Sequence, residues 1–265
     1  MAARSGTALI TGATSGIGEV YADRLAKRGY DLVLVGRNTD KLQALSTSLS
    51  STYGVAVERI VADLGETASL ARVERRLETD ASITFLVNSA GLISGGPLSV
   101  GNVDDLTSML AVNVIALTRL ASVAAKAFTA RQQGKIVNLA SAMAFIDTPA
   151  AAAYAASKAY VLNLSLSLDL DVRPQGVQVQ AVLPGYTRTP MIGGGAGLPD
   201  EAVMDVDALV DAAIAGLDAG ELVTIPSLES PELYDNWLAH RLALQPHLSL
   251  SKPAARYVVA KSAAA

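Results

Sequence analysis

Tyr154 and Lys158 stand four residues apart in Tyr154-Ala-Ala-Ser-Lys158, a spacing that stacks both side chains one turn apart on one helix face. A free phenol titrates near 10 and exchanges protons poorly at neutrality. A neighbouring ammonium favours the phenolate and lowers that value. A phenol tuned in this way gives a proton to a carbonyl oxygen or takes one from an alcohol. Ser141 precedes the tyrosine by thirteen positions. That distance lets it arrive from a neighbouring strand end and hydrogen-bond the same oxygen. Tyr-x-x-x-Lys alone is common in helices that do no chemistry, so its weight depends on what surrounds it.

The chain has 265 residues, 51% of them apolar and 17% charged. That suits one large α/β domain and excludes a disordered chain. A net charge of −4 gives no basic surface for nucleic acid or anionic lipid. There is no cysteine, which excludes disulfides, thiolate nucleophiles and cysteine-bound metal. His240 and His247 lie late in a polar tail without zinc spacing, so no metal site is expected. No apolar run approaches the roughly 18 residues of a membrane span, and the first residues show no signal pattern. The expectation is a soluble cytoplasmic protein.

The elements that must hold the tyrosine can be read along the chain. Residues 7–11 form a short apolar run that stops at Gly12-Ala-Thr14-Ser15-Gly16-Ile17-Gly18. A helical stretch to Arg28 and an apolar run over 31–35 follow, completing a strand–turn–helix–strand unit. Glycines at such a turn let the backbone approach a pyrophosphate resting on the helix N-terminus. The second strand ends in Gly36-Arg37-Asn38, where an acidic residue would hold the ribose hydroxyls of NAD. Arginine at that place pairs instead with the 2′-phosphate of NADP, so NADP(H) is expected in preference to NAD(H).

Further helices are expected over 41–51, 69–78 and 104–127, and strands over 55–61, 85–87, 134–139, 177–183 and 223–225. Asn113 falls inside the long helix, where asparagine disturbs the local hydrogen bonding. Small residues after Asn88 leave room for a flat ligand at a strand end. Leu162, Leu164, Leu166, Leu168 and Leu170 alternate with polar residues, a strand period. The stretch nevertheless continues the helix of Tyr154. It is expected to be a helix with one leucine face on the sheet and one against a partner subunit, giving a homodimer or homotetramer through residues 154–171. The chain reads as one domain over 1–265, with a substrate loop over about 186–206. A mixed tail over about 226–265, anchored by Tyr234 and Trp237, is expected to fray at its alanine end.

Together these pieces resemble the short-chain dehydrogenase/reductase family from about Thr7 to Met191. The motifs are the turn from Thr11 to Gly18; Asn88-Ser-Ala90-Gly91, with Ser89 in place of a second asparagine; and the set Asn113, Ser141, Tyr154 and Lys158. The segment Pro184-Gly185-Tyr186-Thr187-Arg188-Thr189-Pro190-Met191 adds to them, with Thr187 where valine or isoleucine is usual. The resemblance implies a Rossmann-type doubly wound α/β fold, a mostly seven-stranded parallel sheet with helices on both faces. It makes Tyr154 the acid or base, with Ser141 orienting the substrate oxygen. Lys158 would lower the phenol and bind the ribose, and Asn113 would hold a water that links Lys158 to solvent. Asp63 and Leu64 would flank the adenine, with Asn88, Ala90 and Gly91 on the adenosine and ribose side. Pro184, Gly185, Thr187 and Thr189 would hold the nicotinamide. Ile93, Met143, Phe145, Tyr186 and Met191 would face the substrate, and their apolar character implies a hydrophobic ketone or secondary alcohol.

The leading expectation is an NADPH-dependent carbonyl reductase, reversible as an alcohol dehydrogenase. One alternative is a 3-oxoacyl thioester reductase, with Arg131 and Arg173 meeting an acidic carrier. Another is an NADP-sensing binding protein without turnover, against which the complete Ser141, Tyr154 and Lys158 set speaks.

Overall fold

A computed structural model describes residues 5–94, 96–195 and 197–257. The alanine end expected to fray lies outside the described residues. The chain divides into two compact units, one reaching Ser227 and the other beginning at Leu228.

In the first unit, runs of aliphatic residues make seven strands: β1 (Thr7–Thr11), β2 (Asp31–Gly36), β3 (Val57–Val61), β4 (Ile83–Asn88), β5 (Gly134–Leu139), β6 (Val177–Val182) and β7 (Val223–Thr224). Their order is β3-β2-β1-β4-β5-β6-β7 and every neighbouring pair is parallel. The chain winds outward in both directions from the β1–β4 pair. That reversal opens a crevice beyond the carboxyl ends of the two strands. β3 is one of the two edge strands, and it presents Glu58 and Arg59 outward, as charged edges that resist further pairing do.

Side chains alternate across the sheet with period two. Ala8 and Ile10 of β1 join one core with helices α1 (Gly16–Lys27), α2 (Thr39–Tyr53) and, late in the unit, Val206–Asp218. Leu9 points the other way, into a core built with α3 (Thr67–Thr79) and the helices after β4 and β5. β3 starts two residues later than the sequence pattern suggests. Gly54 ends α2 in the left-handed region, and the Ala56 N–H donates to the Asp31 carboxylate at 2.7 Å before pairing begins.

After β4 the chain forms α4 (Val103–Leu110), a π-helical stretch over Ala111–Ala116 and α5 (Leu117–Thr129). The π-bulge brackets Asn113, the residue expected to disturb the helix. The whole run Val103–Thr129 is long and apolar enough to cross a membrane by length and composition. Its buried side, including Leu120, Ala124 and Phe128, packs in the sheet-facing core, while Val103, Leu110 and Ile115 are exposed.

α6 (Ala152–Val172) settles the alternating leucines as a helix. Its buried side is not the stripe Leu162, Leu166 and Leu170. Val161, Leu162, Ser165, Asp169 and Val172 are buried, while Leu170 is 80% exposed. Each member of the buried polar pair has one side-chain hydrogen-bond partner. Asn138 donates to the Ser165 hydroxyl at 3.0 Å, and Arg173 donates to Asp169 at 2.7 Å. α7 (Val206–Asp218) then leads to β7. In the second unit α8 (Pro231–Ala243) is a helix where a mixed tail was expected, with Tyr234 stacked on Trp237 at 5.6 Å between ring centroids.

Candidate active site

The crevice between β1 and β4 holds two adjoining clefts of about 460 Å³ each. They meet at the glycine turn. Gly12 has φ +66°, and a Cβ there would come within 2.8 Å of the Ala90 backbone. Only glycine fits both demands. Gly18 is buried directly behind it. Ser15 is the N-cap of α1 but makes no side-chain capping bond. First-turn N–H groups without a capping side chain, at the rim of a cleft, suit an anionic ligand. Thr11 ties the two strand ends together, its hydroxyl accepting from the N–H groups of Ser89 and Ala90 at 3.1 Å each.

The first cleft is polar and open. Thr14, Ser15, Arg37, Asn38, Asp63 and Leu64 line it, closed on the far side by Ala90 and Gly91. Arg37 lies 3.6 Å from Asp63. Asn38 caps α2, accepting from the Lys41 N–H at 2.9 Å. That cap also fixes Lys41, which lines the same cleft and which sequence reasoning did not single out. The available signal was a second cation close to Arg37 in sequence, in the first turn of the helix that Asn38 caps.

The second cleft is mostly apolar. Ser141, Tyr154 and Lys158 all line it, on a wall that continues through Pro184, Gly185 and Thr187. Gly16, Ile17 and Thr189 close the side nearest the turn, and Ile93, Met143, Tyr186 and Met191 form the outer part. Ser141 follows β5 in extended conformation, and its hydroxyl donates to the Pro184 carbonyl at 3.3 Å. The Lys158 amine lies 5.6 Å from the centroid of the Tyr154 ring and donates to the Leu139 carbonyl at 2.8 Å.

The electrostatics differ from the expectation in one respect. Burial pushes the Tyr154 phenol above its ordinary value, with a Ser141 hydrogen bond pulling the other way. Burial also pulls the Lys158 amine down to about 8. The expected lowering of the phenol by the amine is not what sets its value here: desolvation penalises the charged form of each group, and only the Ser141 hydrogen bond favours the phenolate. The phenol therefore holds its proton at neutral pH.

Three expected site residues do not line either cleft. Asn113 is buried, with its amide oxygen beside Gly91. Its amide donates to the Leu92 carbonyl at 2.9 Å and accepts from the Leu92 N–H at 2.8 Å, so it pins the chain after Gly91. Asn88 is buried and donates to Asn138 at 3.0 Å, within the sheet layer. Phe145 ends a one-turn helix after Ser141 and does not line the cleft. The wall there is formed by Ile146, Thr148, Ala150 and Ala151, which alternation and composition did not reveal.

The family model described as short chain dehydrogenase matches residues 6–194. A short-chain dehydrogenase from Sphingobium yanoikuyae, solved in complex with NADPH, superposes with TM-score 0.91 at 44% identity over 95% of this chain and all of that one. The bulky-bulky ketone specific alcohol dehydrogenase from Comamonas testosteroni superposes with TM-score 0.91 at 40% identity over 97% and 100%. Among curated relatives, inactive hydroxysteroid dehydrogenase-like protein 1 of Homo sapiens is 33% identical over 69% of this chain and 56% of its own length. The very-long-chain 3-oxoacyl-CoA reductase of Anas platyrhynchos is 35% identical over 69% and 60%. The chain thus spans somewhat more than half the length of these curated relatives. The chain belongs to the short-chain dehydrogenase family, whose oxidoreductases act on alcohol and carbonyl groups with nicotinamide dinucleotides.

Proposed function

We propose that this chain is an NADPH-dependent carbonyl reductase for hydrophobic ketones, reversible as a secondary-alcohol dehydrogenase. The observation that carries the reading is the meeting of Ser141, Tyr154 and Lys158 in an apolar cleft that shares the glycine turn with a cationic one. The glycine turn and the uncapped N-terminus of α1 fit a pyrophosphate. Arg37 and Lys41 fit a 2′-phosphate, whose two negative charges exceed what one arginine already facing Asp63 can offset. When bound, the cofactor supplies the hydride.

The chain's own residues handle the oxygen. Ser141 hydrogen-bonds the substrate carbonyl and polarises it, and Tyr154 donates its proton to the oxygen as charge develops there. Lys158 in its protonated form stabilises the phenolate left behind. A phenol that keeps its proton at neutral pH is in the state that reduction requires. Ile93, Met143, Met191 and the Ala150–Ala151 wall present apolar surface to the substituents, which favours a bulky apolar ketone. A panel of small and bulky ketones with NADPH and NADH, followed by loss of reduced-nicotinamide absorbance, tests this. Turnover of bulky ketones with NADPH is expected. No turnover of any ketone would overturn it.

A 3-oxoacyl thioester is the second reading, favoured by the likeness to the Anas platyrhynchos reductase. The arginines expected to greet its carrier are engaged elsewhere. Arg131 donates to the Ile83 carbonyl at 3.0 Å, and Arg173 pairs with Asp169 at 2.7 Å. A cofactor sensor without turnover would have no need of the proton donor. We also propose a homo-oligomer through the outer face of α6, on which Tyr160 and Leu170 are exposed beside Ile115 of the π-helical stretch. A monomer in analytical ultracentrifugation would contradict it.

A further inference from the structure

Between Thr187 and Asp205 the chain leaves the sheet and returns. On the way it places Thr189, Pro190, Met191 and Ile192 along the outer cleft. The excursion is closed at its base by main chain. Thr187 bridges Met204, the Arg188 N–H donates to the Met204 carbonyl at 2.9 Å, and the Met204 N–H donates to Tyr186 at 2.9 Å. Gly193, Gly194, Gly195 and Gly197 follow the apolar residues, with φ of +60°, +70°, +91° and +82°. Left-handed glycines have many alternatives in the unfolded loop and resist fixing. At Gly193, Gly194 and Gly197 nothing packs within 4 Å of where a Cβ would stand.

One side chain crosses this gap. The Arg188 guanidinium donates from Nε to Asp205 at 3.0 Å, from Nη2 to Asp200 at 3.3 Å and from Nη1 to the Gly194 carbonyl at 3.3 Å. It thus holds the glycine run, the descending turn and the start of α7 at once. Its neighbour Thr189 rests on the cofactor turn, where a Cβ on Gly16 would lie 3.0 Å from the Thr189 methyl. Two residues further on, the Met191 methyl lies beside Gly91, in the cleft that Lys158 also lines.

We propose that Arg188 is a positioning residue that clasps this loop and sets the aperture of the substrate cleft, holding Met191 and Ile192 over the reacting carbonyl. The substrate side of this inference rests on the carbonyl-reductase reading; the clasp itself does not. Two of its three bonds are ionic, and those two carboxylate partners are exposed. Exposed pairs are individually weak and are screened by salt, so the clasp is strong enough to bias the loop and weak enough to release it. Bulky apolar substrates, which need the most wall, depend on it most.

The test compares the wild-type protein with Arg188→Gln and Arg188→Lys. Hydrogen exchange over residues 189–204 should accelerate in Arg188→Gln and be partly restored in Arg188→Lys, while exchange in β1, β4 and β5 stays unchanged. With NADPH saturating, KM for a bulky ketone should rise about three- to tenfold in Arg188→Gln, with kcat and the KM of a small ketone changing less. Raising sodium chloride to about 0.5 M should raise the wild-type KM toward the variant's and leave the variant's unmoved. Exchange, KM and salt response all matching wild type in Arg188→Gln would overturn the clasp. A wild-type protein that reduces no ketone would overturn the reductase reading instead, and the exchange result alone would then decide the clasp.

Discussion

The two clefts along the crevice have the same volume and opposite characters. The one under Ser141, Tyr154 and Lys158 is walled by apolar side chains, with Lys158 fully sequestered beneath it. The one under Arg37, Lys41 and Asp63 is open to water, with the Arg37 side chain 66% exposed. Burial is what gives the first cleft its chemistry: it moves the phenol up and the amine down. Exposed charge is what gives the second its affinity, through flexible cations that meet a phosphate without paying to be desolvated. The glycine turn is shared by both, so a ligand lying across it is gripped at one end and reacted at the other.

Breaking the buried end should have the largest effect. Lys158→Met should lower kcat/KM for ketone reduction by roughly 10²–10⁴-fold, the usual worth of positioned acid–base groups, measured by NADPH consumption. The same substitution sharpens the comparison through stability. Lys158 has a folded value of about 8, below its ordinary value of 10.5, so between these pH values the unfolded chain binds the extra proton. Stability of the Lys158 protein should therefore rise with pH across that window, and the burial penalty is fully present below pH 8. Relative to Lys158→Met, urea unfolding should show a gain on the order of 2–3 kcal/mol from pH 8 to 10.5. A flat difference would mean the amine is not desolvated.

At the open end, Arg37→Asp should reduce the preference for NADPH over NADH by roughly ten- to a hundredfold. The maximal rate at saturating cofactor should stay near wild type. Lys41→Ala should do the same to a smaller extent, about three- to tenfold. If either variant lost its maximal rate instead, the division of labour between the clefts would be wrong.

Much of this arrangement was legible in the chain. β1 is bounded where its apolar run begins and stops, because parallel strands buried on both faces leave no alternation to misread. The π-bulge was foreshadowed by Asn113. The helix of Tyr154 was recoverable despite its alternating leucines, because Tyr154 and Lys158 demanded one face. Which face was buried was not, since hydropathy cannot show that Ser165 and Asp169 have partners inside. The Ala150–Ala151 wall escaped for a related reason: its neighbours in the cleft come from distant segments. Phe145 and Asn113 do not line the clefts, because side-chain direction in a short turn or bulge is set by packing rather than by spacing. α8 carried a readable start in Ser230-Pro231-Glu232, a cap residue followed by proline at the first helical position.

The central claim is that Tyr154 hands its proton to the carbonyl oxygen. The most direct measurement is a single turnover of a bulky ketone with bound NADPH, comparing wild type with Tyr154→Phe, alongside NADPH binding followed by its fluorescence. Unchanged binding with the hydride-transfer phase slowed by roughly 10²–10⁴-fold is the predicted result. A Tyr154→Phe protein that turns over at the wild-type rate would contradict it.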